Sequence, residues 1–384
     1  HRASATHILG VAMVSCCKST TRNEPEKTPS GGRLDSNADF GSRSRRQRRA
    51  DNLRYMRYTA PIVEEHTGQK RMWNCRFAVQ SKQNGVDVVV NGYGGQKGRY
   101  AHFEGHQTCG YLKLCPVCAE RISKQRCAEM NQLLAWARKN KYFVQMMTLT
   151  ARHGRDDELS DLVKGIKAAK SALHRHRAYK RIRPFLVGNV TAFEIVGGGS
   201  NGWHPHFHVI MITTKKVDLN ELKDPWIASL RGKGLDGSGA GWRVQNADKA
   251  GRYITKWGAA EELTLSTKKK GKGSTPFQLL ATACDGAGDE ARQAKALWIE
   301  YVQATPQLNL LRWSNGLKDL VGVNDVTDDE AAKSEQQDEQ EELDRANIDT
   351  HAYKERVAGA GVDRRAELLD LAEKTNAKDA VEDI

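Results

Sequence analysis

Residues 185–213 read FLVGNVTAFEIVGGGSNGWHPHFHVIMIT. Two β-rich runs, Phe185 to Val196 and His204 to Thr213, flank the turn-forming GGGSNG of residues 197–202. A connection this short makes the runs antiparallel neighbours. Side chains two apart on a strand share a face, so His206 and His208 project together and Phe207 points the other way. Two imidazoles so placed can hold one metal ion. If Glu194 pairs opposite His206 or His208, its carboxylate joins that face as a third, harder ligand. Carboxylate plus imidazole suits Mg2+ or Mn2+ as well as Zn2+. The plainer reading is a His-rich edge strand with satisfied histidines. The large apolar spacer, the preceding Glu strand and the Gly turn together favour the metal. His204 has the same parity, but Pro205 is expected to interrupt the pairing there. That leaves His204 as an outer contact of the metal site or of DNA.

Working outward, Ala119 to Ala137 has helical apolar spacing, Tyr142 to Thr150 is β-rich, and Asp157 to Ala178 is a second helix. Downstream, Gly241 to Val244 suits a short strand and Asn246 to Trp257 a helix. The class is therefore α+β. Tyr253 and Lys256 are three apart, so a helix presents them on one face. A phenol can attack a phosphodiester when the phosphate is polarised and its proton is drawn off. Lys256 would lower the phenol pKa or hold the scissile phosphate. Y-x-x-K alone is a weak signal; its position after the His-x-His strand gives it weight.

Upstream, Cys115-Pro-Val-Cys118 is a C-x2-C knuckle with Cys109 close by. Two thiolates at that spacing can face one Zn2+. Cys75 is the first choice for the fourth ligand, with His106 and His102 as alternates. A hairpin over Asp87 to Phe103 would bring Cys75 near. A redox pair or unliganded core cysteines are the competing readings. Cys127 is expected in the core.

The chain has 384 residues and a net charge of +13. Residues 324–384 carry 19 acidic and 8 basic residues, a net of −11, so residues 1–323 hold a net of +24. The basic body implies a polyanionic partner. Arg43 to Arg49 (RSRRQRR) holds five arginines, and Arg45, Arg46, Arg48 and Arg49 are candidate phosphate contacts. So are Lys268, Lys269, Lys270 and Lys272 of KKKGK, a loop that is not a phosphate-binding Walker motif. Without such a motif, a host helicase is the implied partner. No run approaches the ~18 apolar residues of a membrane span, and no secretory signal is evident, so a cytoplasmic location is expected. Eight cysteines in this length do not make a disulfide scaffold. The chain opens on His1, and Met13 and Met56 offer alternative starts.

The order Thr148-Leu149-Thr150, Glu194, His206-Phe207-His208, Tyr253-Ile254-Thr255-Lys256 resembles the HUH endonucleases. Within them it is similar to the rolling-circle replication initiators (Rep) of small bacterial plasmids. The knuckle TCGYLKLCPVCAERI, Thr275 to Leu280, Trp298 to Tyr301 and Trp313 to Leu317 resemble segments of one branch. The likeness runs from about Arg71 to Gly322. It implies an antiparallel sheet with a ferredoxin-like core behind a small cysteine-rich zinc-binding segment. It implies metal-dependent, site- and strand-specific nicking and rejoining of DNA. Tyr253 forms a 5′-phosphotyrosine and leaves a 3′-OH for a host polymerase. Mg2+ or Mn2+ would sit at His206, His208 and Glu194, and Zn2+ at the cysteines. The substrate is a plasmid origin, single-stranded or extruded at the nick. Related initiators often carry a carboxylate four residues before the tyrosine; here that position is Lys249 and the acid is Asp248, which leaves the terminating role open. The expected organisation is a basic disordered arm over 1–60, a zinc-knuckle segment and entry helix over 61–130, the catalytic core with a helical extension over 131–322, and an acidic tail over 323–384. A conjugative relaxase or single-strand transposase of the same chemistry is the near alternative. A non-catalytic zinc-knuckle DNA-binding regulator is the distant one.

Overall fold

The computed structural model describes residues 44–93, 98–199, 202–246, 273–333 and 341–384. Two antiparallel sheets organise them. The smaller has the order β2-β1-β8, from β1 (Val86–Tyr93), β2 (Gly98–Glu104) and β8 (Glu341–Ile348). The larger has the order β6-β3-β5-β4-β7, from β3 (Phe143–Thr150), β4 (Leu186–Gly199), β5 (Gly202–Thr213), β6 (Trp242–Asn246) and β7 (Leu311–Trp313). Helices α1 (Arg45–Thr67), α2 (Pro116–Lys139), α3 (Leu159–Arg175), α4 (Pro276–Asp285), α5 (Gly288–Ala304) and α6 (Val362–Lys374) pack around them. The class is α+β, as the hairpin reading requires.

The period of two divides the large sheet into unlike faces. Phe193, Ile195, Phe207, Val209, Met211, Met147 and Leu149 form one face, in the core that includes Leu162, Ile166 and Leu173 of α3. Met146, Val190, Ile210 and Ile212 form the other, in a core with Met130, Leu133 and Ala137 of α2. Toward the turn end, this second face changes from apolar to polar: Val190, Ile210 and Met146 give way to Glu194, His206, His208 and Thr148. The site therefore grows out of a packed sheet face, on strands held from both sides.

The loop chemistry fits its place. Gly202 has φ +72°, and a β-carbon there would stand 2.6 Å from the Gly154 carbonyl oxygen. Thr275 caps α4 in a reciprocal pair with Gln278, and Pro276 occupies the first turn. Trp298 of α5 is fully buried and its indole N–H donates to Thr59 Oγ1 at 2.7 Å, tying α1 to the body.

Four expectations are corrected. The disordered arm expected over residues 1–60 is contradicted from Ser44 on, where the chain caps and enters α1; residues 1–43 lie outside the described residues. Tyr55, Met56, Ala60 and Val63 of that helix are buried, which is what orders it. The acidic tail expected over 323–384 is part of the fold from residue 341 on. Strand β8 completes the small sheet, and Tyr353, Val357, Leu368 and Ala372 cover its Val86, Val88, Val90 and Phe103. A two-stranded hairpin could not bury that face alone. The second predicted helix breaks at His176, which is extended and accepts a hydrogen bond from the Ala178 amide to start a new helix, Arg177–Ile182. Pro205 does not interrupt pairing: it faces Ile195, and the ladder continues to Val196 and His204. The β3 ladder has already ended at His206, so Pro205 lies where β5 has one strand neighbour. Among the described residues, no helix is long and apolar enough to cross a membrane.

Candidate active site

Glu194 and His206 are direct register partners across β4 and β5, and Ala192 is opposite His208. The geometry brings three ligand atoms together. Glu194 Oε2 lies 3.0 Å from His206 Nε2 and 3.1 Å from His208 Nε2, and the two Nε2 atoms are 3.2 Å apart. Ligands about 2.1 Å from one divalent ion stand roughly 3.0–3.4 Å from one another. The three groups therefore fit a single cation without rearrangement.

The outer nitrogens support the same assignment. His206 Nδ1 is 3.2 Å from the His204 carbonyl oxygen, which can only accept, so Nδ1 carries the proton and Nε2 is free to bind a metal. His208 Nδ1 is 3.1 Å from Thr148 Oγ1, its register partner on β3. Burial alone would push the Glu194 carboxyl up. The close contacts with His206 and His208 outweigh it and hold the group well below the usual carboxylate range. Glu194 is thus an anion facing the two imidazoles. The imidazole row continues outward, with His153 Nε2 2.6 Å from His204 Nδ1. Burial pulls His204 down to about 4, and His206 and His153 act in the same direction. Behind the site, the Phe207 ring packs on Phe193 with centroids 4.6 Å apart.

Sequence reading missed Thr148 as the partner of His208 and His153 as the partner of His204. Strand parity within Thr148-Leu149-Thr150 carries the first; His153 lies beyond β3, and its sequence carries no sign of the contact.

The cysteines form a second candidate centre. Cys75, Cys109, Cys115 and Cys118 are all buried and unbridged, and their sulfurs lie within 4.8 Å of one another. Cys75 Sγ is 3.5 Å from Cys118 Sγ and 3.9 Å from Cys115 Sγ, and Cys109 Sγ is 3.6 Å from Cys118 Sγ. Four thiolates about 2.3 Å from one zinc have S···S separations of roughly 3.8 Å. The fourth member is Cys75, so the alternates His102 and His106 are not needed as ligands. The hydrogen bonds from the neighbouring sulfurs hold the Cys118 thiol well below its usual value, while burial pushes Cys115 up. Cys127 is buried in α2, as expected.

The arginines of α1 turn toward the C-terminal segment. Glu373 pairs with Arg45 at 3.0 Å and Arg49 at 2.7 Å, and Arg46 pairs with Glu367. Tyr253, Lys256, Asp248 and Lys268 to Lys272 lie outside the described residues. The described chain flanking them is anchored to the large sheet on both sides. Asn246 ends β6 opposite Gln145, and Ser274 bridges to Gly197, three residues after Glu194.

Residues 102–218 match the family model described as a replication protein. The match contains Cys109, Cys115, Cys118, Glu194, His206 and His208, and stops short of Tyr253. A relative described as "Protein rep" from Streptomyces lividans is 26% identical, with 73% of this chain and 77% of the relative covered. A second "Protein rep", from Lactiplantibacillus plantarum, is 24% identical over 46% of this chain and 50% of its own length. A protein described as "Neomycin resistance protein" from Streptomyces cyanogenus is 27% identical over 29% of this chain and 31% of that one. No solved structure matches the chain. The family model and the two Rep relatives bear out the resemblance to plasmid replication initiators.

Proposed function

We propose that this chain, which carries a replication-protein domain at residues 102–218, starts plasmid replication by nicking one DNA strand at the origin and later rejoining it. The observation that carries the reading is the convergence of Glu194, His206 and His208 on one point of the hairpin. A protein that only binds DNA has no use for three ligand atoms within 3.2 Å of one another.

Glu194, His206 and His208 would hold Mg2+ or Mn2+, which when bound would supply the positive charge that polarises a scissile phosphate. Thr148 and the His204 carbonyl keep the two imidazoles turned inward. Glu194 stays ionised and balances the charge. Tyr253 is the nucleophile: its phenolic oxygen bonds to phosphorus, the 3′-oxygen leaves as a free 3′-OH, and a 5′-phosphotyrosine remains. Lys256 holds the phosphate or favours the phenolate, and Asp248 is the candidate base in the terminating step. The phosphotyrosine keeps the energy of the phosphodiester, so attack by a 3′-OH rejoins the strand. Lys268, Lys269, Lys270 and Lys272 contact the DNA backbone. The 3′-OH primes a host polymerase, and a host helicase opens the duplex in the cytoplasm. Cys75, Cys109, Cys115 and Cys118 would hold a structural Zn2+, which would brace the segment that leads into α2.

The test is incubation with Mn2+ or Mg2+ and supercoiled plasmid carrying the cognate origin, beside Tyr253→Phe and Glu194→Gln. The wild type is expected to give a nicked circle and a protein–DNA adduct stable to denaturant. No nick from the wild type sinks the enzymatic reading. Equal nicking by Tyr253→Phe sinks the assignment of the nucleophile.

A further inference from the structure

Away from the hairpin site, α1, β2, α2 and α6 enclose a cavity of about 90 Å3 that shares no residue with Glu194, His206 or His208. Its described lining includes the cationic side chains of Arg49, Arg76, Arg121, Lys124 and Arg365. One carboxylate, Glu120, faces them. That carboxylate is already engaged, with Asn52 Nδ2 at 3.1 Å and Lys124 Nζ at 3.2 Å. Arg49 is already paired with Glu373 at 2.7 Å and donates to the Ala101 carbonyl oxygen at 2.6 Å. The local balance is strongly positive.

Several of these groups have donors still to be used. Arg365 is 2% exposed, yet its Nε and Nη1 find no hydrogen-bond partner among the described residues. The same holds for Nε of Arg76, Nδ1 of His102 and both ring nitrogens of His106, all at least nine-tenths buried. Arg365 lies 4.4 Å from the Phe77 ring centroid and 5.6 Å from that of Tyr353. Aromatic faces satisfy the charge of a guanidinium but not its in-plane N–H donors, which need oxygen acceptors. Burial pulls Arg365 down to about 10, and Arg76 acts in the same direction. A buried cation without a counter-charge is costly to keep in the folded state. The sulfurs of Cys75 and Cys118 contribute negative field to this region, but they accept no hydrogen bond from the nitrogens named here.

We infer that this cavity is an oxyanion site that takes a phosphate group. A tetrahedral oxyanion offers several acceptor oxygens to planar guanidinium forks and to imidazole N–H groups at once. The space holds roughly six water-sized atoms, enough for phosphate or sulfate and too little for a nucleoside. Arg365 comes from α6, in the C-terminal segment, whereas Arg76 and Arg121 come from the cysteine-rich segment. A bound phosphate therefore bridges the two and fastens α6 to the body.

The test uses the full-length, metal-replete protein in phosphate- and sulfate-free buffer. Inorganic phosphate is titrated at constant ionic strength set with chloride, and the unfolding midpoint is followed together with 31P line width. The expected result is saturable binding near one per chain and a midpoint rise of about 3 °C at a hundredfold excess over Kd. Arg365→Met should match or exceed the wild type without phosphate, because it deletes a buried cation. It should bind phosphate at least about tenfold more weakly, a difference of one factor of ten per ~1.4 kcal/mol. His106→Phe, on another wall, should lose the response in the same way with metal content unchanged, and decides the matter if Arg365→Met does not fold. Equal effects of phosphate and chloride, or an undiminished response in the folded variants, overturn the inference. A thymidine oligonucleotide with a 5′-phosphate separates the sources. Competition with inorganic phosphate assigns the site to a nucleic-acid phosphate, and independence assigns it to the free ion.

Discussion

Thr148 and His208 are direct partners across the β3–β5 ladder, and the threonine hydroxyl lies 3.1 Å from His208 Nδ1. That contact leaves Nε2 to face Glu194. Outer partners of metal-binding histidines commonly account for 10–100-fold in affinity or activity. Thr148→Val keeps the shape and removes the hydrogen bond. It should weaken Mn2+ binding by about 10-fold or more, measured by calorimetry, whereas Thr148→Ser should stay near the wild type. Equal affinity in Val and Ser variants would show that the ring is held by packing alone.

The four cysteines predict a metal stoichiometry. The wild type should carry about one zinc per chain by elemental analysis, and Cys75→Ser should carry markedly less. Chelation should also accelerate amide exchange in residues 109–118 while leaving β3 and β5 protected. A wild-type protein purified without zinc, with unchanged protection after chelation, would return these residues to the role of core cysteines.

Phe207 supplies the rigidity under the site. It is 6% exposed and packs on Phe193 from the face opposite the two histidines. Phe207→Ala should cost roughly 3–5 kcal/mol in denaturant unfolding. Phe207→Leu should cost less and retain metal binding. A loss under 1 kcal/mol for the alanine variant would contradict the burial argument.

Glu373 is the hub between the acidic C-terminal segment and the basic first helix. Its Oε1 accepts from Arg49, Arg45 and the Ala101 amide. Glu373→Gln should lower stability by roughly 1–3 kcal/mol. It should also free Arg45 and Arg49, tighten binding of single-stranded DNA, and steepen its salt dependence. Unchanged affinity with lowered stability would make the pairing purely structural.

These contacts show which part of the molecule is legible in its residues and which is not. The period of two along β4 and β5 sets the faces of Glu194, His206, Phe207 and His208 as soon as the runs are accepted as strands, because side-chain alternation is local. The knuckle spacing of Cys115 and Cys118 is local in the same way. The register that puts Glu194 opposite His206, and not two residues away, is a pairing outcome. Cys75 joins Cys118 across 43 residues, and Arg46 meets Glu367 across 321.

The C-terminal segment marks the limit most clearly. By charge it is an acidic tail, with 19 acidic against 8 basic residues over 324–384. In the fold, Ile348, Tyr353, Val357 and Leu368 gather over a hairpin more than 240 residues earlier in the chain. The sequence by itself determined the strand hairpin, its ligand-bearing face and the cysteine knuckle, since each depends on neighbours within a few residues. Only the tertiary structure decided the fourth cysteine, the cover of the small sheet and the buried arginine cavity. Each depends on surfaces that exist only after distant segments have paired, and no local spacing encodes them.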